Sequence, residues 1–389
     1  MTVLANTDQF GIYYVGDRNF CSKLEAIMHS RLIGQPIVWQ YQHDVFQKYN
    51  WTKEPLQSLW DLYSQRALQL REKYDYIMLM YSGGADSNNV LNAFERNNIP
   101  IDEIRFGYAG EISDPDSLKL DQNREVYYAA IPKARELQKK WPNLKINIVN
   151  MKSIMIDHVS AHNDLIHFGN NMAWNPWQRV RFGISMNSNQ DWIPKNSKDK
   201  RIGILWGKDK TNVFKINNRY AVQFVDRQLN GNFEVLPDNC NHEYFYWSSD
   251  SVDMVIKQGH VLKNFFRQAD NNPEWFTQNK KYFCKDSSRQ WLYNEVEIAN
   301  QVIRINNACY NTLIYPYYEP KIYDVGKLEW QTVSQIVQDT FYHDQNLRKQ
   351  LNDYLKQTLH WYKGGHMQTE FDLQTGPLNC VDRPWFLET

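Results

Sequence analysis

A continuous apolar run at residues 76–81 constrains the fold of this chain more than any other feature of the sequence. It reads Tyr-Ile-Met-Leu-Met-Tyr, and the absence of alternating polar residues is typical of a strand covered on both faces of a sheet. Further strands are predicted at 103–108, 145–149 and 201–206. Helices are predicted at 86–96, 116–141 and 153–168. This alternation predicts an α/β fold with a doubly wound, mainly parallel sheet.

The loop 82–87, which follows this run, carries the most specific chemistry in the sequence. It consists of Ser82, Gly83, Gly84, Ala85, Asp86 and Ser87. Glycines let the backbone turn tightly, and the free N–H groups at the start of the next helix attract an anion such as pyrophosphate. Asp86 can cap that helix or hold a magnesium ion. The alternative is a plain strand–turn–helix junction, while a P-loop kinase is disfavoured because no Gly-Lys-Ser/Thr follows.

The loop resembles the SGGxDS signature of the PP-loop ATP pyrophosphatases, the superfamily that includes asparagine synthetase, GMP synthetase, NAD synthetase, argininosuccinate synthetase and tRNA lysidine synthetase. The resemblance implies an adenine nucleotide alpha hydrolase-like fold and cleavage of ATP to AMP and pyrophosphate. It also implies that the loop residues other than the variable Ala85 bind pyrophosphate. The chain departs from asparagine synthetase because Thr2, and not a cysteine, follows Met1. Its richness in Trp, Tyr and Asn resembles PP-loop proteins of large tailed phages.

Two lysines after the predicted strand at 201–206 form a second candidate element. Lys208 and Lys210 follow Gly207. Because the carboxyl ends of parallel strands meet at one edge of a sheet, we expect these ammonium groups near the loop 82–87. There they would stabilise negative charge on the departing pyrophosphate, which makes them the predicted catalytic residues. A solvated charged turn is the alternative.

A basic stretch interleaved with tryptophans could grip a nucleic acid or a nucleotide. Its members are Arg179, Arg181, Lys195, Lys198, Lys200, Arg201, Trp174, Trp177 and Trp192. The chain as a whole has 44 Lys plus Arg against 44 Asp plus Glu, so no global field attracts a polyanion. Nucleic acid is therefore a possible partner but not the favoured one.

Candidate metal ligands are few in the sequence. His158 and His162 would share a face of a predicted helix, but His167 would lie off that face and no third ligand is evident. Glu111 and Asp114 are outside candidates for magnesium. An aspartate before a proline is more typical of the opening of a helix. Asp86 is therefore the predicted magnesium ligand.

The chain divides into three predicted regions. Residues 1–74 form a mixed α+β piece, 75–215 form the ATP-binding α/β domain, and 216–389 form a hairpin followed by a mainly helical region. The hairpin is predicted from two apolar runs on either side of Asn230-Gly231-Asn232. The segment 169–200 is either a lid over the site or a surface loop.

Cysteine spacing and hydropathy limit the function further. The five cysteines lie far apart without a CxxC pair, which weakens a sulfur-transfer reaction and indicates reduced thiols. No long apolar run and no signal-peptide pattern occur, so a cytoplasmic protein without a membrane partner is expected.

The sequence predicts an AMP-forming ligase or nucleotidyltransferase that uses Mg-ATP and an unidentified acceptor, and that forms an amide or amidine. The alternatives are an enzyme that modifies a nucleic-acid or nucleotide base, and an ATP-binding module without turnover.

Overall fold

The computed structural model describes residues 11–21, 23–108, 110–119, 121–150, 199–207, 210–226, 239–285, 295–298, 301–319, 380 and 382–389. Several predicted features lie outside these ranges. They are the helix at 153–168 with its three histidines, the basic stretch up to Lys198, most of the segment 169–200, Lys208 and the turn at 230–232.

The secondary structure follows in chain order. The strands are β1 (Ile12–Val15), β2 (Arg18–Phe20), β3 (Val38–Gln40), β4 (Tyr76–Met80), β5 (Glu103–Tyr108), β6 (Lys145–Asn150), β7 (Ile202–Trp206), β8 (Val213–Ile216), β9 (Arg219–Val222), β10 (Cys240–Tyr244), β11 (Phe283–Lys285), β12 (Glu295–Ile298), β13 (Gln301–Ile305) and β14 (Trp385–Phe386). The α-helices are α1 (Lys23–Ile33), α2 (His43–Phe46), α3 (Leu59–Lys73), α4 (Ala85–Arg96), α5 (Asp121–Glu125), α6 (Ile131–Lys140), α7 (Val252–Asn271), α8 (Pro273–Gln278) and α9 (Asn307–Ile314). Pro115–Lys119, Ser249–Ser251 and Lys280–Tyr282 form 3₁₀ turns, and Val126–Ala130 forms a π-helix.

A five-stranded parallel sheet, in the order β10-β7-β4-β5-β6, forms the centre of the fold. The predicted α/β character and the four predicted strands are confirmed. Ile77, Met78 and Leu79 in β4 are almost completely buried, as their continuous apolar pattern predicts. β5 and β6, which follow β4 in the chain, lie on one side of it, and β7 and β10 lie on the other. The strand order therefore reverses between β4 and β7, where ligands of open α/β sheets bind beyond the carboxyl ends.

The long helix predicted at 116–141 is divided into several segments. A 3₁₀ turn leads into α5, then into the π-helix and α6. Ile131 N–H donates to the carbonyl of Val126, five residues earlier, and Pro132 follows with no N–H to donate. The missing donor explains why the helix widens at this point.

A hairpin forms one strand before the predicted one, whose turn at 230–232 lies outside the described residues. The apolar run that begins at Tyr220 pairs backwards with β8, through a turn at Asn217 and Asn218. Both asparagines have positive φ, 48° and 65°, as in the type I′ turns that favour right-twisted hairpins. β9 also pairs with β14 near the end of the chain.

The turn at Asn218 gives a first prediction. Asn218→Ala is expected to lower the free energy of unfolding by about 1 kcal/mol, because alanine tolerates the left-handed region poorly. Asn218→Gly is expected to leave stability unchanged or slightly increased. Urea titration followed by circular dichroism measures both, and equal stabilities for the two variants would contradict this turn.

The region after residue 216 is not only helical. It contributes β10 to the edge of the central sheet, and β11, β13 and β12 form a separate antiparallel sheet. Its helix α7 is largely buried against the rest of the molecule. One apolar core runs through the N-terminal piece, the central sheet and this region, and includes Trp39, Phe46, Phe224 and Trp247.

Candidate functional site

The loop 82–87 joins β4 to α4 at the carboxyl edge of the central sheet. Gly83 has φ +80°, a conformation that side chains with a Cβ rarely adopt, and so the sharp turn needs this glycine. Gly84 is the residue before the helix, and no side chain caps the helix there. The N–H groups at the start of α4 therefore face the loop without a side-chain acceptor, which suits an anion.

The buried side chain of Ser87 contacts Ser82 within the loop. Ser87 is buried, and its Oγ lies 3.2 Å from Ser82 Oγ and 3.3 Å from Ser82 N. It also donates to the carbonyl of Gly84 at 3.2 Å. Ser87 thus holds the shape of the loop, while Ser82 is exposed and its hydroxyl accepts from Gly84 N–H at 3.2 Å.

Asp86 does not cap the helix, contrary to one of its two predicted roles. It occupies the second helical position, where a negative charge is favourable. Its Oδ1 lies 2.8 Å from Lys210 Nζ and accepts from the hydroxyl of Tyr315 at 2.7 Å. Its carboxylate is therefore directed to groups outside the helix.

Lys210 reaches the loop because β7 lies next to β4. The last residues of the two strands, Met80 and Trp206, are paired in register. Gly207 then passes so close to α4 that a Cβ there would lie 2.8 Å from Ser87 Cα. The absence of a side chain at Gly207 lets the chain cross the start of α4 and bring Lys210 to Asp86.

The Lys210 ammonium group is enclosed by residues near the end of α9. Its Nζ donates to Asn311 Oδ1 at 2.6 Å and lies 4.6 Å from the ring centre of Tyr310 and 5.2 Å from that of Tyr315. Such cation–π contacts are stronger when partly desolvated, and only 15% of the lysine side chain is exposed. The Lys210 ammonium group therefore has a defined position.

Two tyrosine hydroxyls, those of Tyr246 and Tyr315, complete the site. Tyr246 donates to the backbone carbonyl of Asp86 at 2.7 Å and accepts from Asn89 Nδ2 at 3.0 Å. Burial raises the pKa of Tyr246 and of Tyr315 well above the ordinary value, and the charge of Asp86 raises both further. Both hydroxyls therefore stay protonated and act as donors near neutral pH.

Within the part of the chain that the structure describes, the predicted magnesium ligand Asp86 does not belong to a cluster of metal ligands. Among the residues described, no three His, Cys, Asp or Glu side chains form a metal-binding group. Magnesium in nucleotide sites commonly takes one or two carboxylates together with phosphate oxygens, and Asp86 supplies one carboxylate in the loop. An ion there would share that carboxylate with Lys210.

The outside candidates for magnesium have structural partners. Glu111 accepts from Asn150 Nδ2 at 2.7 Å, and Asp114 Oδ1 accepts from Asp116 N–H at 3.0 Å. Asp114 immediately precedes the 3₁₀ turn that begins at Pro115. This geometry agrees with the opening of a helical turn.

Two thiols are poor nucleophiles in this fold. Burial raises the pKa of Cys240 and of Cys309 to about 11, although Cys309 lies on α9 beside the site. Because the thiolate is the reactive form, these groups remain protonated near neutral pH. Cys21 and Cys380 form no disulfide bond with another described residue.

The sequence did not identify the residues that the C-terminal half contributes to the site. They are Tyr246, Tyr310, Asn311 and Tyr315. Their contacts with the loop and Lys210 join positions about 100 or more apart in the chain. No motif marks them. The only available signal was the expectation that the region after residue 248 would shape the acceptor side.

Within the described ranges, no helix is both long and apolar enough to span a bilayer. No protein-family model matches this chain, and neither the curated proteins nor the solved structures contain a significant match.

Proposed function

We propose that this protein is an ATP pyrophosphatase-type enzyme, with the doubly wound fold of the PP-loop superfamily, that cleaves Mg-ATP to AMP and pyrophosphate and adenylates an acceptor. The observation that carries the proposal is the contact between Lys210, after β7, and Asp86 in a loop that resembles the PP-loop. A cation beside an uncapped helix start, at the edge where the strand order reverses, suits a polyphosphate. A plain strand–turn–helix junction does not need this arrangement.

The reaction proceeds in two displacements. An acceptor oxygen forms a bond to the α-phosphorus, and the bond from that phosphorus to the bridging oxygen breaks, so that pyrophosphate leaves with the electron pair. A nitrogen nucleophile then bonds to the acceptor carbon and loses a proton to solvent, while AMP leaves with the acceptor oxygen. Lys210 stabilises the charge that collects on pyrophosphate in the first displacement.

Nitrogen chemistry is favoured over sulfur chemistry. A sulfur carrier needs an accessible thiolate, whereas three of the five cysteines, Cys240, Cys309 and Cys380, are buried. Burial also raises the pKa values of Cys240 and Cys309. Arg201, one of two described residues of the basic stretch, pairs with Asp75 at the start of β4. That position is the amino end of the strands, opposite the loop, and so it does not extend the site towards a nucleic acid.

The product analysis tests the proposal. The protein is incubated with radiolabelled Mg-ATP and with pools of metabolites or of tRNA, and the nucleotides are separated by chromatography. We expect AMP and pyrophosphate in equal amounts once an acceptor is present. ADP as the main product would assign a different chemistry, and ATP binding without any product would indicate a non-catalytic module.

Ser87→Ala provides a matched test of the loop. We expect an affinity for Mg-ATP about tenfold weaker by calorimetry, because the variant loses the hydroxyl that joins Ser82 and Gly84, and each such bond contributes about 1 kcal/mol. The control is Ser64→Ala, which removes a surface hydroxyl that accepts from Asn97 on another face. Equal affinities for both variants would exclude the loop as the ATP site.

A further inference from the structure

Two side chains near the end of α9 contact both charged groups of the candidate site. Tyr315 donates to Asp86 Oδ1 at 2.7 Å, and Asn311 Oδ1 accepts from Lys210 Nζ at 2.6 Å. The ion pair between Lys210 and Asp86 is thus held from both sides by one segment. Neither residue belongs to the loop or to the strands that form the sheet edge.

We propose that Asn311 and Tyr315 are positioning residues that fix Lys210 and Asp86 for the cleavage of ATP. The inference rests on the proposed function. A lysine has a flexible four-carbon stem and a compact charge, so its effect on a departing pyrophosphate depends on where neighbouring groups hold it. Catalytic hydrogen-bond donors must stand where charge develops before the reaction begins.

The segment that carries these two residues is itself firmly anchored. Asn306 caps the start of α9 by accepting from Cys309 N–H at 2.9 Å. At the other end, the hydroxyl of Tyr63 in α3 donates to the carbonyl of Ile314 at 2.8 Å, and Tyr315 N–H bonds to the carbonyl of Asn311 at 2.8 Å. A rigid element of this kind can transmit a defined position to the side chains it bears.

Tyr13 offers a matched control outside the candidate site. Its side chain is also buried, and its hydroxyl also donates to a carboxylate, Asp226 Oδ2, at 3.0 Å. Tyr13→Phe therefore removes the same kind of hydrogen bond and leaves Asp86 and Lys210 unchanged. Any effect specific to Tyr315→Phe then comes from the bond to the loop.

The kinetic test compares Tyr315→Phe, Asn311→Leu and Tyr13→Phe in the full chain. We expect kcat for AMP formation to fall about tenfold in the first two, with the KM for Mg-ATP changed less than about twofold, and both constants to stay near the parent values in Tyr13→Phe. Asn311→Asp keeps an oxygen acceptor for Lys210 and is expected to retain most of the turnover. Parent-like kcat in Tyr315→Phe and Asn311→Leu would overturn the inference.

A second measurement needs no nucleotide. The rate at which an acylating reagent modifies Lys210, followed by peptide mass spectrometry, is expected to rise severalfold in Asn311→Leu and to stay unchanged in Tyr13→Phe. Circular dichroism melting confirms that each variant is folded. If the parent does not turn over ATP, the proposed function fails, and the modification rates alone decide whether Asn311 fixes Lys210. Unchanged rates would contradict the positioning role.

Discussion

Lys210→Met is expected to lower ATP turnover by about 100-fold or more, the loss typical of removing one donor that stabilises developing charge. Methionine keeps most of the length and the apolar stem of the lysine and removes its ammonium group. Binding of Mg-ATP in the ground state should weaken less than turnover does, because charge on the pyrophosphate grows as the bond breaks. Single-turnover kinetics and calorimetry measure the two effects separately.

Lys215→Met supplies the control for a lost ion pair. Lys215 is also largely buried and pairs with Asp270, at β8 and α7. Both variants leave a carboxylate without its lysine, so a general loss of stability would affect both. Parent-like turnover in Lys210→Met, or an equal loss in Lys215→Met, would show that Lys210 has no special part in catalysis.

The central sheet could be predicted because its strands follow simple patterns. The buried strand β4 reads as an unbroken apolar run, and each of β5, β6 and β7 is separated from the strand before it by enough chain for a crossover. The fifth strand, β10, could not be predicted in this way, since it contains His242 and Glu243. Both are buried, and Glu243 is stabilised by Arg66, Lys73 and Tyr74 from α3 and the residue after it.

The strand pairing in the hairpin could not be predicted, for a different reason. The sequence offers two turn signals, Asn217-Asn218 and Asn230-Gly231-Asn232, and the glycine-containing one matches the stronger general preference. The apolar run at Tyr220 could pair with a strand on either side of it. Pairing with β8 and β14 depends on tertiary contacts that the local pattern does not encode.

The candidate site also has a part that the sequence could predict and a part that it could not. The loop 82–87 could be identified from a local motif, and Lys210 could be placed near it because parallel strands end at one edge. Tyr315 contacts Asp86 across 229 positions, and such a contact leaves no periodic signal in the sequence. The role of Ser87 inside the loop could be recognised only from the structure, because a motif does not reveal which hydroxyl is buried.

Gly83→Ala is expected to lower the free energy of unfolding by about 2–5 kcal/mol and to abolish measurable binding of Mg-ATP. Gly83 has φ +80°, where a residue with a Cβ costs about 1–2 kcal/mol. The added Cβ would also lie 3.0 Å from Ala130 Cβ and 3.3 Å from the carbonyl oxygen of Glu125, and overpacking of this kind costs about 1–3 kcal/mol more. Because these contacts involve the π-helix, the loop must shift.

Gly34→Ala separates crowding at the loop from backbone strain alone. Gly34 follows α1 with φ +69°, and a Cβ there would meet no atom within 4 Å. Its replacement should therefore cost about 1–2 kcal/mol for the left-handed conformation and leave Mg-ATP affinity unchanged. Denaturant titration and calorimetry on the two variants compare the same substitution at two positive-φ sites. If Gly83→Ala binds Mg-ATP as tightly as Gly34→Ala does, the turn at Gly83 is not part of a phosphate-binding loop, and the contact of Lys210 with Asp86 is a structural ion pair.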